Sequence, residues 1–292
     1  MNVPAFTHLR PTSLSEACGL LARYGSEAQV LAGGTDVLVK MKQRRVMPSY
    51  LVNIKSIPGL DYIEYEPGQG LRIGPLATIE ALKCSVAVRK RYPVLHQAAA
   101  YMATVAIRNR ATLVGNICNG SPSAETAPAL MVLGAEARMT GPDGERTVPV
   151  EEFFTGPGCT ALRPGEMVVE VHVPEPPPGG AAFYEKYSLR RMDVALVGAA
   201  ALVVPVDGVI GDARIALSAV APTPMRAREA EALLRRQRPS AALIAAAARA
   251  AAAAARPITD IRATAEARRA RVVTLTEFVL GKALTAAKLG VA

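Results

Sequence analysis

The stretch Pro174-Glu175-Pro176-Pro177-Pro178-Gly179-Gly180 constrains the fold more than any other feature of the chain. Four prolines in five positions remove backbone donors and fix φ, so neither a helix nor a central strand can run through them, and the two glycines that follow favour a turn. The chain is therefore expected to pack as separate units on either side. With 292 residues, 50% of them apolar, it is long enough for two or three modest domains, and disorder is a poor reading. Boundaries are expected at 1–56, 57–176 and 177–292.

Before the break, Ser13 with Glu16 three positions on forms a capping box for a helix whose apolar face is Leu14, Ala17, Leu20 and Leu21, and Gly25 stops it. A strand over 28–32 runs into Gly33-Gly34, a helical pattern follows from Asp36 to Gln43, and a second strand covers 50–54. Two hairpins are expected at 67–70 and 141–144, with helical segments at 79–91, 93–102 and 126–133 and a strand over 167–173. Beyond the break, three antiparallel strands are expected from Ala181 to Val220, the second and third joined at Val206-Asp207-Gly208, and then helices over 227–236, 241–255 and 274–288. The fold class is α+β, with a C-terminal α+β domain of a three-stranded antiparallel sheet plus helices. The Ala-rich helix has high propensity and little amphipathicity, which points to packing.

Two segments carry binding chemistry. Leu31-Ala32-Gly33-Gly34-Thr35-Asp36 places two glycines after a strand and before a helix, where consecutive N–H groups without neighbouring Cβ atoms admit a pyrophosphate. Alone, such a pair is also an ordinary strand-to-helix turn. Some eighty residues on, Thr112-Leu113-Val114-Gly115-Asn116 runs into Ile117-Cys118-Asn119-Gly120-Ser121-Pro122-Ser123-Ala124-Glu125, dense in small, hydroxyl and amide residues. It reads as a binding loop, and equally as a polar cap for the helix that follows.

Other chemistries lose their support. Gly156-Pro157-Gly158-Cys159-Thr160-Ala161 formally matches a dinucleotide fingerprint, but Pro157 sits inside the tight turn and Arg163-Pro164-Gly165 stands where the binding helix should run. There is no P-loop, no H-E-x-x-H and no G-x-S-x-G, and His8, His96 and His172 are scattered, so no catalytic residue and no metal ligand is assigned. Cys18, Cys84, Cys118 and Cys159 are at least 34 positions apart, which excludes zinc knuckles and clustered iron–sulfur thiolates. The net charge of +9 invites a nucleic-acid reading, but the arginine pairs are dispersed and the chain has no Trp for stacking. The apolar run 241–255 is interrupted by Arg249, so no transmembrane segment is expected, and the first ten residues lack an export signal, so the expected location is cytoplasmic.

Taken together, the two glycine segments, with Ser121-Pro122, Glu125 and Pro128 downstream, resemble the FAD-binding (medium) subunit of the xanthine dehydrogenase and carbon monoxide dehydrogenase family of molybdenum hydroxylases. Arg163-Pro164-Gly165-Glu166, Tyr184-Glu185-Lys186 and Arg190-Arg191-Met192-Asp193 extend the likeness over nearly the whole chain. The resemblance implies a FAD-binding fold of the vanillyl-alcohol oxidase type. It implies flavin contacts at Leu31, Ala32, Gly33, Gly34, Thr35, Asp36, Val37, Met102, Thr112, Leu113, Val114, Gly115, Asn116, Glu125, Val168 and Lys186. Val114 stands where the family usually has glycine, and Glu125 where it usually has Asp.

What the resemblance implies for function is electron transfer. Non-covalent FAD would take electrons from two [2Fe-2S] clusters in a small subunit, which receive them from a molybdenum cofactor in a large subunit, the whole forming a dimer of heterotrimers. The flavin would then reduce an external acceptor. Two rivals are a stand-alone flavin reductase of the same fold, such as the one that makes UDP-N-acetylmuramic acid, and a nucleotide-binding assembly module without redox turnover.

Overall fold

The computed structural model describes residues 3–291. The N-terminal unit is a three-stranded parallel sheet in the order Thr7–Leu9, Tyr50–Asn53, Ala28–Leu31, with the helices Leu14–Tyr24 and Val37–Lys42 in the connections. The first strand has only three residues, too few for a hydrophobic period to mark it in the sequence. Ser13 caps its helix as expected, accepting from Glu16 N–H at 3.1 Å. The return bond of the box shifts by one, since Glu16 Oε2 accepts from Thr12 N–H at 2.7 Å.

The central unit is built on Met167–Val173. This almost wholly buried strand pairs on one side with the hairpin Ile63–Glu66/Gly70–Ile73 and on the other with Glu136–Gly141/Gly144–Pro149, giving a five-stranded antiparallel sheet. Six short helices between residues 79 and 133 cover it. The helix expected over 79–91 breaks into Ile79–Cys84 and Val86–Arg91. Ser85 turns extended, its N–H bonding Ala81 O while its hydroxyl accepts from Val88 N–H. The fingerprint-like Gly156-Pro157-Gly158 is a tight hairpin turn between Phe154–Gly156 and Cys159–Thr160, with Gly158 at φ +76°.

The prolines from 174 to 178 belong to no helix or strand. Beyond them, Ala181–Tyr187, Val197–Val206 and Val209–Ser218 form the expected antiparallel strands, and the two-residue strand Met225–Arg226 makes the sheet four-stranded rather than three. Helices Arg228–Leu234, Ala241–Ala254 and Ala265–Ala286 complete the unit, and the Ala-rich helix buries Ala247, Ala251 and Ala252 in its core. The last helix begins nine residues before the expected start. Its first turns carry Glu266, Arg268, Arg269 and Arg271, which conceal the apolar stripe, yet Arg268 points inward.

That buried arginine organises the turn before the helix. Its Nη1 donates to Leu196 O at 2.7 Å and its Nη2 to Asp260 Oδ1 at 2.9 Å, while Asp260 also accepts from the Arg262 guanidinium and from Arg262 and Ala263 N–H. Burial works against the Asp260 carboxylate, but these bonds outweigh it and hold its pKa far below the usual carboxylate range. A depressed carboxylate stabilises the fold above its unfolded pKa, about 4, and the contribution fades as pH falls. Asp260→Asn is expected to lower the melting temperature by roughly 3 °C at pH 7 and by less at pH 3, read by calorimetry. An equal change at both pH values would exclude this account.

Candidate functional site

A cavity of about 340 Å³ opens between the N-terminal and central units. One wall is Ala32 to Val37 with Lys40. The facing wall is Thr112, Val114, Gly115, Asn116, Cys118 and Asn119, and Met102 and the segment from Leu162 to Val168 close the remaining side.

The glycines of the first wall have different tasks. Gly34 sits at φ +79°, a conformation that L residues rarely adopt, and it turns the chain out of its strand. Gly33 permits contact: a Cβ there would run into the Arg110 carbonyl oxygen and lie 2.8 Å from the Arg110 carbonyl carbon and 3.1 Å from Ala111 Cα. The two walls thus touch backbone to backbone at Gly33. Among the described residues, none of the backbone N–H groups of Gly33, Gly34, Thr35, Asp36 and Val37 has a protein acceptor. Lys55 Nζ donates to Ala32 O at 2.8 Å, and its pKa is lowered by burial and by Arg110.

The second wall is a helical turn rather than an open loop. Thr112 caps the helix Leu113–Cys118 by accepting from Gly115 N–H at 2.9 Å, and a Cβ on Gly115 would approach that hydroxyl to 2.9 Å. The polar-cap reading therefore applies to this helix, one element earlier than expected. Val114 lines the cavity with its branched side chain and Leu113 is buried beneath it. Asn116 Oδ1 accepts from the N–H and hydroxyl of Thr126. Asn119 Nδ2 donates to Asp36 Oδ1 at 3.2 Å, a cross-wall bond that no motif announced, and Asn119 Oδ1 is buried with no partner among the described residues. Burial raises the Asp36 carboxyl pKa, and Lys40 partly offsets it.

Glu125 and Lys186 stand behind the cavity rather than in its lining. They form a buried ion pair at 2.8 Å, and the Tyr184 hydroxyl donates to Glu125. Lys186 Nζ also donates to Tyr101 O at 3.0 Å and Asp193 O at 2.9 Å, so all three ammonium hydrogens are engaged within the protein. Burial pushes the Glu125 carboxyl up, and Lys186 opposes it. Of the sixteen residues implied by the resemblance, Leu31, Leu113, Glu125 and Lys186 are outside the lining and the other twelve are in it.

These features match known proteins. A family profile described as "FAD binding domain in molybdopterin dehydrogenase" covers residues 4–176, and a second, "CO dehydrogenase flavoprotein C-terminal domain", covers 182–283. The chain belongs to the FAD-binding medium subunits of the molybdenum hydroxylases. It is 34% identical to the 6-hydroxypseudooxynicotine dehydrogenase complex subunit alpha of Paenarthrobacter nicotinovorans, over 99% of this chain and 97% of that one. It is 33% identical to the xanthine dehydrogenase FAD-binding subunit of Escherichia coli O157:H7, over 95% and 96%. The structure superposes on carbon monoxide dehydrogenase from Hydrogenophaga pseudoflava with a TM-score of 0.95, at 35% identity, covering 98% of this chain and 99% of that chain.

The cofactor of this family is FAD, and the residues present fit it: the run of N–H groups from Gly33 to Val37 without protein acceptors suits a pyrophosphate. No helix among the described residues is long and apolar enough to cross a membrane. All four cysteines are free, and no described group of His, Cys, Asp or Glu could hold a metal ion.

Proposed function

We propose that this medium subunit is the electron-transfer flavoprotein of a heteromeric molybdenum hydroxylase. It receives electrons from [2Fe-2S] clusters of a small subunit, fed by a molybdenum cofactor in a large subunit, and passes them to an external acceptor. The assembly is read as a cytoplasmic dimer of heterotrimers. The observation that carries the reading is the two-walled cleft, which is lined both by 33–37, whose N–H groups have no acceptor among the described residues, and by the helical turn at 112–116.

FAD, when bound, supplies the exchange of electrons between carriers. This chain's residues bind and orient it. Ala32 to Val37 would cradle the pyrophosphate, Thr112 and Val114 to Asn116 would hold the ribityl side, and Met102 and Val168 would face the ring. Leu31 and Leu113 would shape those walls from beneath, and Glu125 with Lys186 would support the ring side through the Tyr101 carbonyl. Residues 1–56 and 57–176 would grip the cofactor from opposite sides, and 177–292 would carry the support at Lys186. The shortage of clustered thiolates makes the chain dependent on partners for its electrons.

Two measurements test this. Acid precipitation of the loaded chain should release one FAD per polypeptide into the supernatant, whereas flavin retained on the denatured chain, or FMN in its place, would defeat non-covalent FAD binding. Anaerobic mixing of the loaded chain with substrates of this enzyme class should leave its flavin absorbance unchanged until the molybdenum and [2Fe-2S] subunits are added. Rapid bleaching by the isolated chain would favour the stand-alone reductase.

A further inference from the structure

Three successive carbonyls beside the cleft, those of Tyr101, Met102 and Ala103, each accept from a buried cation. Lys186 reaches Tyr101 O, and Arg108 Nη1 reaches both Met102 O and Ala103 O at 3.0 Å. Arg108 is only 7% exposed, and its Nε donates to Glu80 Oε2 at 2.6 Å, while Lys83 braces the same carboxylate from its other oxygen at 2.8 Å. Ala103 sits at φ +44°, a strained conformation for a residue with a Cβ, which persists only where surrounding contacts over-determine it. The clamp spans the turn between the helices Pro93–Tyr101 and Val105–Arg108, and Met102, at its apex, lines the cleft. Arg108 does not line it.

We propose that Arg108 is a positioning residue for the flavin: one guanidinium draws in the Met102 and Ala103 carbonyls, holds Ala103 in the left-handed region, and so fixes Met102 against the cofactor. The inference rests on the FAD reading of the cleft. Arginine suits the task because its planar fork serves Glu80 and the two carbonyls at once, which a single ammonium at the end of a lysine stem does not reproduce. Without the fork, two half-buried carbonyls lose their donor and nothing balances the strain at Ala103. The turn then relaxes and Met102 leaves its place.

The test uses the full chain loaded with FAD, and follows FAD affinity by quenching of flavin fluorescence, the visible band shape and midpoint potential of the bound flavin, and melting of the FAD-free chain. Arg108→Met is expected to weaken FAD binding about tenfold and to shift the midpoint potential, with Arg108→Lys between it and the wild type. Ala103→Gly added to Arg108→Met should recover at least half of the lost affinity, on a logarithmic scale, together with the band shape, because glycine holds the left-handed turn without a clamp. Wild-type affinity and potential in Arg108→Lys or Arg108→Met would overturn the proposal. So would losses that follow only the melting temperature and are not rescued by Ala103→Gly. If Arg108→Met does not fold, Arg108→Lys decides. Failure of the wild-type chain to bind FAD saturably would overturn the FAD reading itself.

Discussion

Gly33→Ala is expected to leave the chain folded and nearly without FAD. The added Cβ meets the Arg110 carbonyl, a backbone atom pinned within a segment whose neighbour Ala111 accepts from Ile79 N–H at 2.8 Å, so the obstruction cannot be relieved by a rotamer change. Either the Ala32 to Val37 wall or the segment at Arg110 must move, and the facing walls then separate. Overpacking of this kind costs on the order of 3 kcal/mol, which taken from binding is about a hundredfold in affinity. Gly34→Val is expected to act more mildly and by another route. It places a branched residue at φ +79° and presses on Leu31 and Leu38 at 3.1 and 3.2 Å, whose ends can give, so FAD binding should weaken while the fold survives. The check is FAD per chain after gel filtration, with circular dichroism to confirm folding. Full FAD occupancy in folded Gly33→Ala would show that the walls do not close at this point.

The contrast between these glycines shows what the sequence could convey. Gly33-Gly34 after a strand marks a turn where backbone is approached closely, but local pattern cannot say that Gly33 is approached by Arg110, seventy-seven positions away. Likewise Thr112 to Asn116 announced small residues at a site, whereas its helical state is seen only in the bonds of the turn, the Thr112 hydroxyl accepting from Gly115 N–H and the Thr112 carbonyl from Asn116 N–H. Elements with a clear period and clear stops, such as Leu14–Tyr24 and Met167–Val173, were legible. Those whose logic is tertiary were not. Thr7–Leu9 exists because Tyr50–Asn53 offers it an edge, and Ala265–Ala286 begins early because Arg268 finds two carbonyls and a carboxylate inside the protein. The site shows the same division: Gly33, Gly34 and Gly115 carry local signals, while the Asn119–Asp36 bond and the Glu80 arm of the Arg108 clamp join residues whose proximity only the fold creates.

Lys186→Met is expected to destabilise the protein more than any surface substitution, and in a pH-dependent way. Lys186 and Glu125 are both nearly inaccessible, and their pairing at 2.8 Å is what allows a carboxylate to be charged so far from water. Removing one partner of a buried pair costs about 3–5 kcal/mol, because the other is left as an uncompensated charge. Burial already pushes the Glu125 carboxyl upward, and without Lys186 the opposing influence is gone, so in the variant Glu125 must take up a proton to remain inside. The sign follows. A carboxyl whose folded pKa is raised favours the fold below its unfolded pKa of about 4, and that advantage is lost as pH rises through the folded pKa. The deficit of Lys186→Met relative to the wild type should therefore be smaller at pH 5 than at pH 8. Glu125→Gln in the same chain should recover part of the loss at pH 8, since a neutral amide needs no counter-charge and can still accept from the Tyr184 hydroxyl, which burial keeps protonated. Urea unfolding of the FAD-free wild type, single and double variants at both pH values measures each of these differences. A deficit in Lys186→Met that is the same at pH 5 and pH 8, with no recovery in the double variant, would mean that the lysine acts only through its bonds to the Tyr101 and Asp193 carbonyls and that Glu125 is not charged in the native protein.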